Sequence, residues 1–100
     1  MNITYALQVH ARCPVNEAIV DEYQFVIEAD RMIKVEDLLA FFKPYENNAI
    51  YQERLTANCL EIEGVRKVTS AGIHSGVRTV CEAQQGGTEH EATVRTRAAR

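Results

Sequence analysis

Residues 4–13 alternate apolar and polar side chains, with Tyr5, Leu7, Val9, Ala11 and Cys13 on one side and Gln8, His10 and Arg12 on the other. A period of two is what a strand with one buried face requires. The alternation resumes over residues 21–29, where Tyr23, Phe25 and Ile27 oppose Glu22, Gln24 and Glu28. Pro14 removes a backbone donor and favours an extended residue before it, so the first strand ends at Cys13 and residues 14–20 form a loop. An antiparallel hairpin is the shortest connection between two such strands. It brings Cys13, at the end of one arm, towards Asp21, at the start of the other.

A hairpin with one apolar face needs a cover, and the next residues supply it. Val35, Leu38, Leu39 and Phe42 recur at i, i+3, i+4 and i+7, a helical stripe that Pro44 stops. Asn47 or Asn48 is expected to cap a second helix that reaches about Glu63, with Gly64 as its C-terminal residue. Tyr51, Leu55, Cys59 and Ile62 form one apolar stripe on it. Ile50, Ala57 and Leu60 form a neighbouring stripe, and Glu53 lies within that one. Residues 65–71 and 77–83 are β-branched segments on either side of residues 72–76, a second hairpin. The reading is an α+β domain over residues 1–84, an antiparallel four-stranded sheet with two helices in the order ββααββ. Residues 85–100, polar and without periodicity, are expected to be a disordered tail.

A domain this small buries a modest share of its surface, which favours assembly into a homo-oligomer. The formal charge of −3 gives no global basic field for a nucleic-acid backbone. Apolar runs are short, so no membrane segment is expected. The three cysteines, Cys13, Cys59 and Cys81, are far apart and contain no C-x-x-C pair, which argues against a disulfide framework and a zinc cluster. Reduced thiols and a cytoplasmic setting follow, with no metal site.

Three residues carry candidate chemistry. Cys13 is a thiol at a strand end beside a loop, open to activation by neighbours. Asp21 faces it across the hairpin and can hold or deliver a proton during addition to a carbon–nitrogen multiple bond. Glu53 sits on a half-apolar helical face, where a carboxylate either takes an ion-pair partner such as Arg54 or Lys43 or awaits a ligand with two donors. Packing accounts for Cys59 and Cys81, and His74 is expected to be exposed at a hairpin tip.

The order of elements resembles the tunnelling fold, which includes GTP cyclohydrolase I, the pterin synthases and the 7-cyano-7-deazaguanine reductases. Cys13-Pro14-Val15 followed by Val20-Asp21 is similar to the Cys-Pro-x…Asp signature of the reductases and of their shorter archaeal relatives, which form an amidine from the nitrile on transfer RNA. Tyr51-Gln52-Glu53-Arg54-Leu55-Thr56 takes the place of the helix that carries the group's purine-anchoring glutamate. The resemblance covers roughly residues 5–83. It implies that Cys13 is the nucleophile forming a thioimide and Asp21 the proton donor or base. Glu53 would anchor the purine, with Glu36 and Gln52 near the substrate.

It also implies sheets joined into an oligomeric barrel, a multiple of five subunits, with the site at a subunit interface. The substrate would be 7-cyano-7-deazaguanine, free or within a nucleic acid. Glu36-Asp37-Leu38-Leu39 lacks the lysine-rich stretch with which the reductases bind NADPH, which favours amidine formation without a cofactor over NADPH-dependent reduction. A GTP cyclohydrolase-like pterin or purine enzyme and a non-catalytic purine-binding oligomer are the alternatives.

Overall fold

The computed structural model describes residues 1–86 with their side chains and the backbone of residues 92–99. Strands β1 (Ile3–Arg12) and β2 (Val20–Ala29) pair antiparallel, in a register that sets Ala11 opposite Asp21 and Leu7 opposite Phe25. Helices α1 (Val35–Phe42) and α2 (Gln52–Asn58) follow, and then strands β3 (Val65–His74) and β4 (Val77–Gln85). The sheet runs β1-β2-β3-β4 with every pair antiparallel, which gives the ββααββ order and the α+β class expected from the sequence. Among the described residues, no helix is long and apolar enough to cross a membrane.

The helices lie on one face of the sheet, and the alternating residues of the strands meet them there. Val9 and Ala11 from β1, Tyr23, Phe25 and Ile27 from β2, and Val68 from β3 are buried with Leu38, Phe42, Leu55 and Cys59 from the helical layer. Phe25 and Phe42 pack edge to face with ring centroids 5.3 Å apart, a favoured aromatic arrangement. Leu55 is fully buried, worth about 1.5–3 kcal/mol relative to an exposed side chain, and it anchors α2 two residues from Glu53. The Tyr5 hydroxyl accepts from the Ile33 amide at 2.7 Å and so ties the β2–α1 connection back to β1.

Four features differ from the sequence reading. α2 is shorter than the stripe suggested, because its last turn tightens into a 3₁₀ segment at Cys59–Glu61. Asn47 and Asn48 do not cap it; Tyr51 occupies the N-cap position without a side-chain bond. The backbone at residues 47–50 instead pairs with the end of β1, through Asn47 N–H to the His10 carbonyl, Arg12 N–H to the Asn48 carbonyl and Ile50 N–H to the Arg12 carbonyl. Asn47 has φ 59°, a conformation asparagine tolerates better than most residues.

The second hairpin turns on only Ser75 and Gly76, at φ 50° and 83°, as a tight two-residue turn requires. Within the segment expected to be a disordered tail, Ala92–Ala99 forms a fifth strand, β5, antiparallel to β4 in a register from Gln85–Ala92 to Arg78–Ala99. An open sheet edge offers unpaired backbone groups to any nearby chain, which accounts for the pairing without an apolar pattern. Residues 87–91 and 100 of that tail lie outside the described residues.

Candidate functional site

Two loop contacts set the position of Cys13. Its amide donates to the Ile19 carbonyl at 3.1 Å, which extends the β1–β2 ladder one step beyond Arg12. The Arg12 guanidinium then ties both sides, donating to the Glu17 carbonyl and the Asn47 carbonyl at 2.8 Å each. Because Ala11 pairs with Asp21 and side chains alternate, Cys13 and Asp21 project from the same sheet face as diagonal cross-strand neighbours. The helices cover that face elsewhere. Here the parallel bridge between Arg12 and Ala49 brings the start of α2 alongside, so that Ile50, Gln52 and Glu53 arrive next to the thiol.

A cavity of about 220 Å³ opens between these elements. Cys13 and Pro14 line it from the end of β1, Asp21 and Tyr23 from β2, residues 50–53 from the start of α2, and His74 and Thr79 from the second hairpin. This is below the ~300–1,000 Å³ usual for drug-sized ligands, and it suits a single heterocyclic base. The Cys13 thiol is partly exposed rather than sealed in hydrocarbon, whereas Cys59 and Cys81 are buried. Burial pushes the Cys59 thiol up to about 12, so it stays protonated and inert.

The polar groups of the cavity form a connected set. Asp21 is only 8% exposed, and its Oδ2 lies 3.3 Å from His74 Nδ1 and accepts from the Tyr23 hydroxyl at 3.4 Å. Burial, reinforced by the adjacent Asp21 charge, pushes the Tyr23 hydroxyl well above the usual tyrosine range, so it remains a neutral donor. Gln52 is buried beneath them. Its Nε2 donates to Ser70 Oγ at 3.1 Å and to the Ser70 and Thr79 carbonyls at 3.3 Å, while its Oε1 accepts from Thr79 Oγ1 at 2.6 Å and meets His74 Nε2 at 3.2 Å. Thr56 Oγ1 and Ser70 Oγ, 2.6 Å apart, close the network on the core side.

Glu53 stands at the open side of this cavity with an exposed carboxylate that has no ion-pair partner among the described residues. Neither Arg54 nor Lys43 neutralises it, which leaves both oxygens available to donors on a ligand. Cys13, Asp21, Gln52 and Glu53 are thus brought together, with Gln52 as a buried scaffold. Glu36 is not: it projects from the exposed face of α1 and does not line the cavity. The i+4 spacing that buries Leu38 and Phe42 turns Glu36 to solvent.

Three residues of the cavity escaped the sequence reading. Tyr23 and Thr79 read as ordinary strand positions, and His74 read as a hairpin tip. Counting by twos from buried Val68 through Ser70 and Gly72 assigns His74 to the helix-covered face, and the two-residue turn makes it the last strand residue. Compared with known protein families, curated proteins and solved structures, the chain matches none.

Proposed function

We propose that this protein is an enzyme that converts the nitrile of 7-cyano-7-deazaguanine through a covalent thioimide on Cys13, with amidine formation favoured over reduction. The observation that carries the reading is that a partly exposed thiol, a buried carboxylate and an unpaired exposed carboxylate line one base-sized cavity. Glu53 accepts from the ring N–H and the amino group on the guanine-like edge, a two-donor pattern that suits a carboxylate. That orientation directs the cyano group, on the opposite side of the base, towards Cys13.

The chemistry balances without a redox partner. The Cys13 sulfur, reacting as its thiolate, bonds to the nitrile carbon, one π bond of the C≡N group opens, and the nitrogen takes a proton from the Asp21 side of the cavity. Ammonia then attacks the thioimide carbon, the carbon–sulfur bond breaks, and the excess proton returns to the cavity as the thiolate leaves. The product is an amidine. The absence of a lysine-rich stretch at Glu36-Asp37-Leu38-Leu39 favours this course over hydride transfer from NADPH.

The sheet joins those of other copies into a ring, a multiple of five subunits, and the open side of the cavity at Tyr51 and Glu53 faces a neighbouring subunit. The substrate is the free base or the same base within a nucleic acid. Incubation with 7-cyano-7-deazaguanine followed by intact-protein mass spectrometry tests the mechanism. A mass increase equal to the base, lost in Cys13→Ala, is the expected result, and an unmodified wild-type protein at saturating base rules the thioimide out.

A further inference from the structure

The Gln52 amide fixes where the protons of His74 lie. Its amide nitrogen sits 3.3 Å from each of two backbone carbonyls, those of Ser70 and Thr79, and carbonyls only accept. The nitrogen must occupy that end of the side chain, so the amide oxygen is the atom turned towards His74 Nε2 at 3.2 Å. An amide oxygen also only accepts. His74 Nε2 therefore carries a proton.

The other ring nitrogen, Nδ1, lies 3.3 Å from Asp21 Oδ2. With Nε2 protonated, a neutral ring would set a lone pair at Nδ1 against a carboxylate lone pair, and the contact would repel. It becomes a hydrogen bond only when one further proton lies between Nδ1 and Oδ2. Tyr23 does not provide it, since its hydroxyl keeps its own proton and merely donates to the same oxygen at 3.4 Å. The remaining ionisable groups that share the cavity are Cys13, Tyr51 and Glu53.

We infer that His74 is a positioning residue that keeps a transferable proton shared with Asp21, beside the Cys13 sulfur. Its use rests on the thioimide reading. When the Cys13 thiolate adds to the nitrile carbon, this proton moves through Asp21 to the nitrile nitrogen and leaves the histidine neutral. When ammonia adds and the thiolate departs, the proton released from nitrogen returns to the Asp21–His74 pair. The pair ends each turnover as it began, and Gln52 prevents the ring from flipping to the other tautomer.

The test has two arms. In protein labelled with ¹⁵N-histidine and given no substrate, long-range ¹H–¹⁵N correlation spectra should show His74 Nε2 protonated throughout about pH 5 to 9, on both sides of the ordinary histidine range. A bare Nε2 with a proton fixed on Nδ1 overturns the inference. In the second arm, the rate of adduct formation with 7-cyano-7-deazaguanine is measured against pH for the wild type, His74→Ala and His74→Asn, with circular dichroism confirming that each is folded. The asparagine nitrogen can take the place of Nδ1 and donate to Asp21, but it does not titrate.

Both variants should still label Cys13 at long times, about a hundredfold more slowly, the typical size of a general acid–base contribution, and with a flattened pH profile. Full recovery of rate and pH profile in His74→Asn would reduce His74 to a structural prop and overturn its proton-holding role. A wild-type protein that shows the Nε2 proton yet forms no adduct would overturn the thioimide reading while upholding the placement of the proton.

Discussion

Replacing Gln52 by leucine keeps the bulk of the side chain and removes the polar centre of the cavity floor. Five contacts disappear: three donated by Nε2, to Ser70 Oγ and the Ser70 and Thr79 carbonyls, and two accepted by Oε1, from Thr79 Oγ1 and His74 Nε2. Some groups have an alternative. Ser70 Oγ keeps Thr56, and Thr79 Oγ1 keeps the Gly72 carbonyl at 3.4 Å. His74 Nε2 has no such second partner among the described residues, and leaving a partly buried polar group unpaired costs at most about 1–3 kcal/mol.

Adding the net loss of the stronger remaining bonds gives a destabilisation of about 2–4 kcal/mol. For a domain of this length each kcal/mol moves the midpoint by about 4–8 °C, so thermal unfolding followed by circular dichroism should show a fall of at least about 8 °C. Gln52→Glu separates geometry from volume. It sets an anionic oxygen against the two carbonyls, so at neutral pH it should be the less stable of the two variants. Its carboxyl is then harder to ionise in the folded state than in the unfolded one, and its penalty relative to Gln52→Leu should shrink as pH falls towards about 4. A Gln52→Leu midpoint equal to that of the wild type, or a Gln52→Glu penalty indifferent to pH, would refute this account of the network.

Three further outcomes are expected. Glu53→Gln should leave the thermal midpoint unchanged, because the side chain is exposed, but weaken binding of 7-cyano-7-deazaguanine by about tenfold or more in calorimetry, since hydrogen bonds to a charged group are worth about 1.5–3 kcal/mol. Gly72→Ala should destabilise the domain by about 1–3 kcal/mol in chemical denaturation, because the added Cβ would stand 2.5 Å from the Tyr23 ring. The Cys59 thiol is raised from 9.0 to about 12 in the folded state. The unfolded state therefore releases its proton first, and stability that is full below about pH 9 falls across that window by about 1.4 kcal/mol per pH unit, a slope that Cys59→Ala should flatten in alkaline melts.

The hairpin that carries Cys13 and Asp21 was legible because alternation fixes which residues share a face, and the proline fixes where the first arm stops. The helical layer was legible in kind but not in extent. Asn47 and Asn48 have the chemistry of caps, yet their backbone serves the end of β1, a tertiary use that no local pattern marks. The strand at Ala92–Ala99 has a tertiary cause as well, since its partner is the open edge of β4 rather than a core that its own sequence could announce. His74 was misread because the length of its turn was overestimated, which put it at the tip and hid its parity with Ser70. Glu36 was assigned from resemblance alone, and the face of α1 on which it lies is set by Leu38 and Phe42.

The central claim is that Cys13 bonds to a nitrile carbon inside this cavity. Titration with 7-cyano-7-deazaguanine, followed by absorbance and then by peptide mapping of the trapped adduct, tests it most directly. One equivalent of base per chain, carried on the peptide containing Cys13 and absent from those containing Cys59 and Cys81, is the expected result. Saturable binding with no absorbance change and every cysteine unmodified would contradict the claim and leave a base-binding domain with a different chemistry.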